Sequence, residues 1–280
     1  MLKIWISNVQ QKLETQLPKL RKKPLVLKKI YKTALITGGA QRIGQSMARF
    51  LVESGYNVAI QYNNSSKEAK TLVNQFSDLK VKFLAYKFNF ENDSNIQKFF
   101  NNIQKDYGKV DILINNASTF EFDTINSSNE KIFNKHINVN LKAPFFLSQA
   151  FVNKLGKNKG LIINIIDQRV TNITPYFTSY TISKCGLYSL TKSLSLSLAP
   201  KIRVNGISPG PTLMSKNQNE QQFKKQISRT PLRKQIKLDE INRAVYYLIN
   251  NQSVTGEVLT LDSGQSLGWA HSKSKVFTTD

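Results

Sequence analysis

The stretch from Thr33 to Tyr62, TALITGGAQRIGQSMARFLVESGYNVAIQY, constrains the fold more than any other. Ala34, Leu35 and Ile36 end a short apolar strand. Gly38 and Gly39 supply a tight turn, and Gly44 permits close approach of a helix. Met47, Ala48, Leu51 and Val52 then recur at helical spacing, Gly55 ends the helix, and a second apolar strand runs from Asn57 to Tyr62. Two strands joined through a helix pair in parallel. The turn also leaves free N–H groups at the helix N-terminus, where a phosphate-bearing ligand sits well.

The alternation continues to the end of the chain. Apolar runs predict strands over Val81–Tyr86, Val110–Ile114, Leu161–Ile166, Ile202–Ile207 and Val258–Leu261. Helical spacing predicts helices over Ser66–Phe76, Ser94–Tyr107, Glu130–Leu155, Ser179–Leu198 and Leu238–Asn250. The expected class is therefore α/β: a doubly wound, mainly parallel, seven-stranded sheet with helices on both faces, in one domain over residues 31–270. Residues 271–280 read as a tail. Pro211 to Leu232, rich in Gln and Lys, reads as a mobile substrate lid.

Residues 1–30 read as an extension. Leu2, Ile6, Val9, Leu13 and Leu17 recur at helical spacing beside Trp5 until Pro18, and a basic run with Arg21, Lys22, Lys23, Lys28 and Lys29 follows. The expected form is a basic amphipathic helix packed on the domain or on a neighbouring subunit, with weak membrane-surface association as the alternative. It lacks the apolar core and cleavage site of a secretory signal. No apolar run is long enough to span a bilayer. With one cysteine, Cys185, no internal disulfide forms, and a cytoplasmic setting is expected. The net charge of +22 would suit an anionic partner, but the excess is Lys spread along a chain also rich in Asn and Ile, as AT-rich coding produces. No basic-aromatic stripe marks a nucleic-acid surface, so none is expected. No metal site is expected either.

Chemistry concentrates between Ile162 and Leu187, IINIIDQRVTNITPYFTSYTISKCGL. Asp167 follows a buried strand, at the sheet edge where such folds place ligands. Tyr180 and Lys184, four apart on a helix, share a face. Together they make a proton-donating site. Two readings of Asp167 stay open: partner of the tyrosine, or cap of the next turn.

Six ordered motifs now resemble the short-chain dehydrogenase/reductase family, from Thr33 to Leu267. They are the turn Thr37–Gly44, Asn115-Asn116-Ala117-Ser118, Asn140 in VNLKAP, Tyr180-x-x-x-Lys184, Ser208-Pro209-Gly210, and Val254-Thr255-Gly256. The resemblance implies a Rossmann fold, with Tyr180 as proton donor. It implies that Lys184 holds the nicotinamide ribose and lowers the tyrosine pKa, and that Asn140 supports a water-linked proton path. It implies cofactor contacts from Thr37, Gly38, Ile43, Gly44, Tyr62, Asn63, Ser65, Asn116, Ala117, Pro209 and Gly210, and assembly as a homotetramer through the helices at Glu130–Leu155 and Ser179–Leu198. The leucines Leu187, Leu190, Leu194 and Leu198 would form the contact face.

Two departures single out a subgroup. Asp167 stands where the family has serine, thirteen positions before Tyr180, and Arg42 replaces a glycine of TGxxxGxG. Both are similar to the pteridine and dihydromonapterin reductases. That likeness implies that Arg42 reaches cofactor phosphates and substrate, that Ser118 contacts a pterin, and that Phe120 stacks on it. Phe120 as plain wall is the alternative. A carboxylate at the end of the second strand would repel a 2′-phosphate; none stands there, which favours NADP(H) without excluding NAD(H). Asn89 stands where an adenine-binding aspartate is common, and its amide oxygen would serve. The expected activity is hydride transfer from NADPH to a C=N bond of a reduced pterin or folate. The alternatives are reduction of a ketone or 3-oxoacyl thioester and, in another class, a non-catalytic NADP(H)-binding regulator.

Overall fold

The computed structural model describes residues 32–92, 95–216 and 218–267. The expectations for the N-terminal extension and the C-terminal tail fall outside them, as does the helix start expected at Ser94.

The chain alternates strand and helix: β1 (Thr33–Ile36), α1 (Arg42–Glu53), β2 (Asn57–Tyr62), α2 (Ser66–Asn74), β3 (Phe83–Lys87), α3 (Ile96–Tyr107) and β4 (Ile112–Asn115). It goes on through α4 (Glu130–Ile137), α5 (Ala143–Leu155), β5 (Gly160–Ile165), α6 (Thr178–Ser197), β6 (Ile202–Pro209), α7 (Glu220–Ser228), α8 (Leu238–Asn250) and β7 (Val258–Leu261). The strands form one parallel sheet in the order β3-β2-β1-β4-β5-β6-β7. The order reverses between β1 and β4, so their carboxyl ends open a crevice there.

Side chains along each strand alternate between two cores. Ala34, Ile36, Val58, Ile60, Ile112 and Ile114 pack with Met47 and Leu51 of α1 and Val245 and Leu248 of α8. Leu35, Ala59 and Leu113 point the other way, against Phe99 and Phe100 of α3 and Leu147 and Phe151 of α5. This period of two on a sheet covered on both faces is why the strands read as unbroken apolar runs. Truncating a side chain as buried as Phe151 (1% exposed) to alanine costs about 3–5 kcal/mol.

Three expectations change. The single helix expected from Glu130 to Leu155 is interrupted by a π turn at Asn138–Lys142. Pro144 has no N–H to give the carbonyl of Asn140, and the Ala143 N–H reaches five residues back to Asn138. The segment expected to act as a lid carries a helix, α7, with a capping box between Asn219 and Gln222. The leucine face expected for assembly is partly core, since Leu187 is buried and Leu194 and Leu198 pack with the α5 core. The exposed apolar groove lies beside it, between Ile137, Leu141, Phe145, Phe146 and Leu190.

Candidate active site

A cleft of about 670 Å³ opens at the carboxyl edge of the sheet, lined from the glycine turn to the lid. Its floor begins at Gly38 and Gly44. A Cβ at Gly44 would lie 2.1 Å from the Gly38 carbonyl oxygen, so only glycine lets α1 start this close to β1. Gln61, buried at the end of β2, spans the turn: its oxygen accepts from the Gly38 N–H at 2.8 Å and its NH₂ donates to the Phe88 carbonyl. A polar residue ending an otherwise apolar strand was the signal for it.

Thr37 is buried below the floor and does not line the cleft. Its hydroxyl accepts the N–H groups of Asn116 and Ala117, both at 2.9 Å, so it shapes the turn rather than touching a cofactor. Gly38, Ile43, Gly44, Tyr62, Asn63, Ser65, Asn116, Ala117, Pro209 and Gly210 do line the cleft, as expected for a dinucleotide site. Ser65 occupies the N-cap of α2 without a capping bond from its side chain, so its hydroxyl can meet a ligand. Asn89 lies outside the lining, and its amide oxygen already accepts from Asn63 and from the Glu91 N–H at 3.0 Å. An adenine would have to displace those bonds. The remaining donors and the close backbone approach fit a dinucleotide with a 2′-phosphate.

Arg42 takes a left-handed backbone with φ 55°. That explains the glycine usual there: an L-residue costs about 1–2 kcal/mol in this region. The guanidinium reaches across to the lid and donates to the carbonyls of Met214, at 3.0 Å, and Leu213, at 3.3 Å. Arg42→Gly is therefore expected to hold or slightly raise Tm while raising KM for the reducible substrate about tenfold. Unchanged KM in steady-state assays would show that the tie to the lid is idle.

The reacting end of the cleft lies between β5 and α6. Asp167 serves both readings left open by the sequence. Its Oδ1 accepts the Arg169 N–H at 2.8 Å, capping the short 3₁₀ turn Gln168–Val170, and its Oδ2 accepts the Tyr180 hydroxyl at 2.8 Å. Burial raises the Tyr180 pKa well above its usual value, and the charge of Asp167 and its hydrogen bond raise it further. The Arg169 charge and a hydrogen bond from Ser118 oppose this without reversing it. Tyr180 is thus a neutral hydroxyl at working pH. The sequence reading had Lys184 lowering the tyrosine pKa; here desolvation prevails. Lys184 itself is buried, donates to the Ile165 carbonyl at 2.9 Å, and is pushed down to about 8 by burial, with Asp167 pulling the other way.

Asn140 is fully buried and does not line the cleft. Its oxygen accepts from the Thr119 N–H at 2.8 Å and lies 3.2 Å from the Ser118 hydroxyl; its NH₂ donates to the Thr119 carbonyl and the Ser183 hydroxyl. The side chain is spent on fixing the loop after β4 to α6.

Phe120 lines the cleft but stacks on Phe177, with ring centroids 4.2 Å apart and planes 12° from parallel. It meets Tyr180 edge-on at 4.7 Å. Phe177, which the sequence reading missed, has a left-handed backbone with φ 60° and donates its N–H to the Asp123 carbonyl. A bulky residue in that region marks strain held at a site.

A buried triad holds this loop. The Glu121 N–H donates to His136 Nε2 at 3.1 Å, His136 Nδ1 lies 2.7 Å from the Ser179 hydroxyl, and that hydroxyl donates to Asp123. With Nε2 accepting, the imidazole is neutral and carries its proton on Nδ1. Burial lowers the His136 pKa from 6.5, more than the charges of Asp123 and Glu121 raise it. Burial also pushes Asp123 up, but hydrogen bonds from Ser179 and Ser128 leave it below its ordinary value. Since the unfolded histidine binds a proton more readily, its contribution to stability is full above about pH 6.5 and is lost as pH falls through that value toward the lower folded one. Melting curves from pH 7.5 to 5 should show Tm dropping in that window, and His136→Gln, which keeps an acceptor near Nε2, should flatten the drop. An equal drop in both proteins would assign it elsewhere.

A dinucleotide-sized cleft over a glycine turn, ending on a tyrosine paired with a carboxylate and backed by a buried lysine, defines an oxidoreductase of the doubly wound class. Residues 32–225 match the family model described as short chain dehydrogenase, and the chain belongs to that family. A curated relative, the 3-oxoacyl-[acyl-carrier-protein] reductase FabG of Buchnera aphidicola subsp. Baizongia pistaciae, is 32% identical and covers 85% of this chain and 98% of its own length. Two solved structures are FolM alternative dihydrofolate reductase 1 in complex with NADP. The Brucella suis protein has a TM-score of 0.82 at 37% identity, covering 85% of this chain and 96% of its own. The Brucella canis protein has 0.83 at 36%, covering 88% and 98%. Among the described residues, no helix is long and apolar enough to cross a membrane.

Proposed function

We propose that this chain is an NADPH-dependent reductase of a reduced pterin or folate. Asp167 on the hydroxyl of Tyr180 carries the reading: a carboxyl paired with a phenol suits proton delivery to a ring nitrogen. The FolM structures, at 36% and 37% identity, support both the substrate class and NADP(H). When bound, NADPH supplies the hydride. Gly38, Gly44, Ser65 and Asn116 would hold the cofactor, and Lys184 its nicotinamide ribose. Tyr180 would donate the proton, Asp167 would pass to the resulting phenolate a proton taken up from solvent in the open cleft, and Phe120 would give the substrate ring a flat wall once Phe177 yields its face.

NADPH oxidation with dihydrofolate, dihydrobiopterin and dihydromonapterin, set against acetoacetyl-coenzyme A, tests this. Pterin turnover that is lost in Phe120→Ala supports it. Turnover of the thioester alone would replace it with the reading that the FabG relative favours, 3-oxoacyl thioester reduction. Turnover of none, with NADPH still bound, would turn it to a non-catalytic binder.

The same proposal includes a homotetramer joined through the groove between α5 and α6. Phe145 and Phe146, 45% and 39% exposed, leave an apolar face there beside Leu190. Light scattering of Phe145→Glu against the parent chain reads the assembly directly.

A further inference from the structure

The cleft gathers four basic side chains, Arg42, Arg169, Lys184 and Lys216, against one carboxylate, Asp167. Two of the four are committed. Arg42 holds the lid carbonyls and Lys184 the Ile165 carbonyl. Arg169 is different. It is half-buried, its guanidinium lies 4.9 Å from the Phe177 ring centroid and 5.6 Å from that of Phe120, and among the described residues no carboxylate pairs with it. Both oxygens of Asp167, its neighbour in the chain, are taken by the Arg169 N–H and the Tyr180 hydroxyl.

A partly desolvated cation without a counterion is unfavourable, and contact with two rings offsets only part of that cost. Such a cost is kept where a ligand supplies the missing charge. The cofactor phosphates belong to the glycine turn on β1, and Arg169 follows β5, two strands away in the sheet. That is about 10 Å at ordinary strand spacing. Arg169 therefore faces the substrate half of the cleft, beside the aromatic wall.

We propose that Arg169 recognises an acidic group on the substrate, so that this cleft selects a flat ring bearing a carboxylate over one with a neutral side chain. The ring rests on the pterin or folate reading above; the charge does not. Within that reading, the substrate is of the dihydrofolate kind rather than a dihydropterin with a polyol side chain.

The experiment compares substrates matched in the reducible group and different in charge. Arg169→Met keeps length and packing, and Arg169→Lys keeps charge. For dihydrofolate, Arg169→Met should lower kcat/KM at least tenfold, chiefly through KM, and Arg169→Lys should recover most of it. For neutral dihydrobiopterin both variants should stay within threefold. A second pair, acetoacetyl-coenzyme A and the neutral acetoacetyl-N-acetylcysteamine, is run in parallel. If only thioesters turn over and Arg169→Met weakens the charged one alone, the anion role stands and the pterin reading falls. Fluorescence-quenching titrations of the NADP-loaded protein with folate and with 6-hydroxymethylpterin give the same comparison without turnover. Equal losses for charged and neutral members, no losses, or no wild-type preference for the charged ligand would overturn the inference and leave Arg169 as a packing residue of the Phe120–Phe177 wall.

Discussion

Tyr180→Phe is expected to lower kcat by about 10³-fold while leaving NADPH affinity within about threefold. The hydroxyl is a buried proton donor, held 2.8 Å from Asp167, and phenylalanine removes only that group. Because the phenol pKa is raised well above its usual value, Tyr180 remains protonated across the working pH range and sets no limb of the pH profile there. Asp167→Asn should cost about 10²-fold, because asparagine keeps the cap on the Arg169 N–H but cannot take up and return a proton. Single-turnover kinetics with preformed NADPH complex separate this from product release. A Tyr180→Phe enzyme retaining a tenth of wild-type turnover would remove the tyrosine from the chemistry.

Lys184→Met should move activity and stability in opposite directions. The ammonium is buried, and its pKa falls from 10.5 to about 8. The unfolded chain therefore binds that proton more tightly, and between about pH 8 and 10.5 stability rises as the folded lysine gives up its charge. Below about 8 the buried charge is borne in full, a cost on the order of 3 kcal/mol. Methionine removes it but leaves the Ile165 carbonyl without its donor, which costs about 1–3 kcal/mol. The balance is no loss of Tm, or a rise of a few degrees, with kcat/KM down by about 10²-fold or more. In the parent enzyme kcat/KM should fall above about pH 8 as the free enzyme loses the Lys184 proton, and Lys184→Arg should carry that limb to higher pH. Melting at pH 7 beside a pH–rate profile checks both halves. A large drop in Tm for Lys184→Met would mean that the lysine holds the fold together.

Glu130–Leu155 shows why a good local pattern can still be incomplete. The apolar spacing was right for two helices, and Pro144 was in plain view. Pro144 could have bent the helix or ended it; the apolar spacing does not tell which, and the chain takes a π turn at Asn138–Lys142, with the Ala143 N–H on the Asn138 carbonyl. Asn140 stands out in its motif, and the four bonds of its side chain, which tie the loop after β4 to α6, appear only in the tertiary structure. Lid helix α7 was missed because its apolar content is only Phe223, which is buried, and Ile227, amid Gln and Lys. The capping pair Asn219 and Gln222 was the available sign.

The strands, most of the helices, the sheet's doubly wound class and the cleft's glycine, tyrosine and lysine positions were set by the sequence alone, because each rests on a local period or spacing. Residues two apart alternate on a strand and residues four apart share a helix face whatever surrounds them. Tertiary structure alone decided the rest. Arg42 meets Met214 across 172 positions, Phe120 covers Phe177, His136 fixes the Phe120 loop through Ser179, and Arg169 lies against Phe120 with no carboxylate at ion-pair distance among the described residues. Each is a contact between residues far apart in the chain, and its geometry and desolvation exist only once the sheet has brought their loops to one edge.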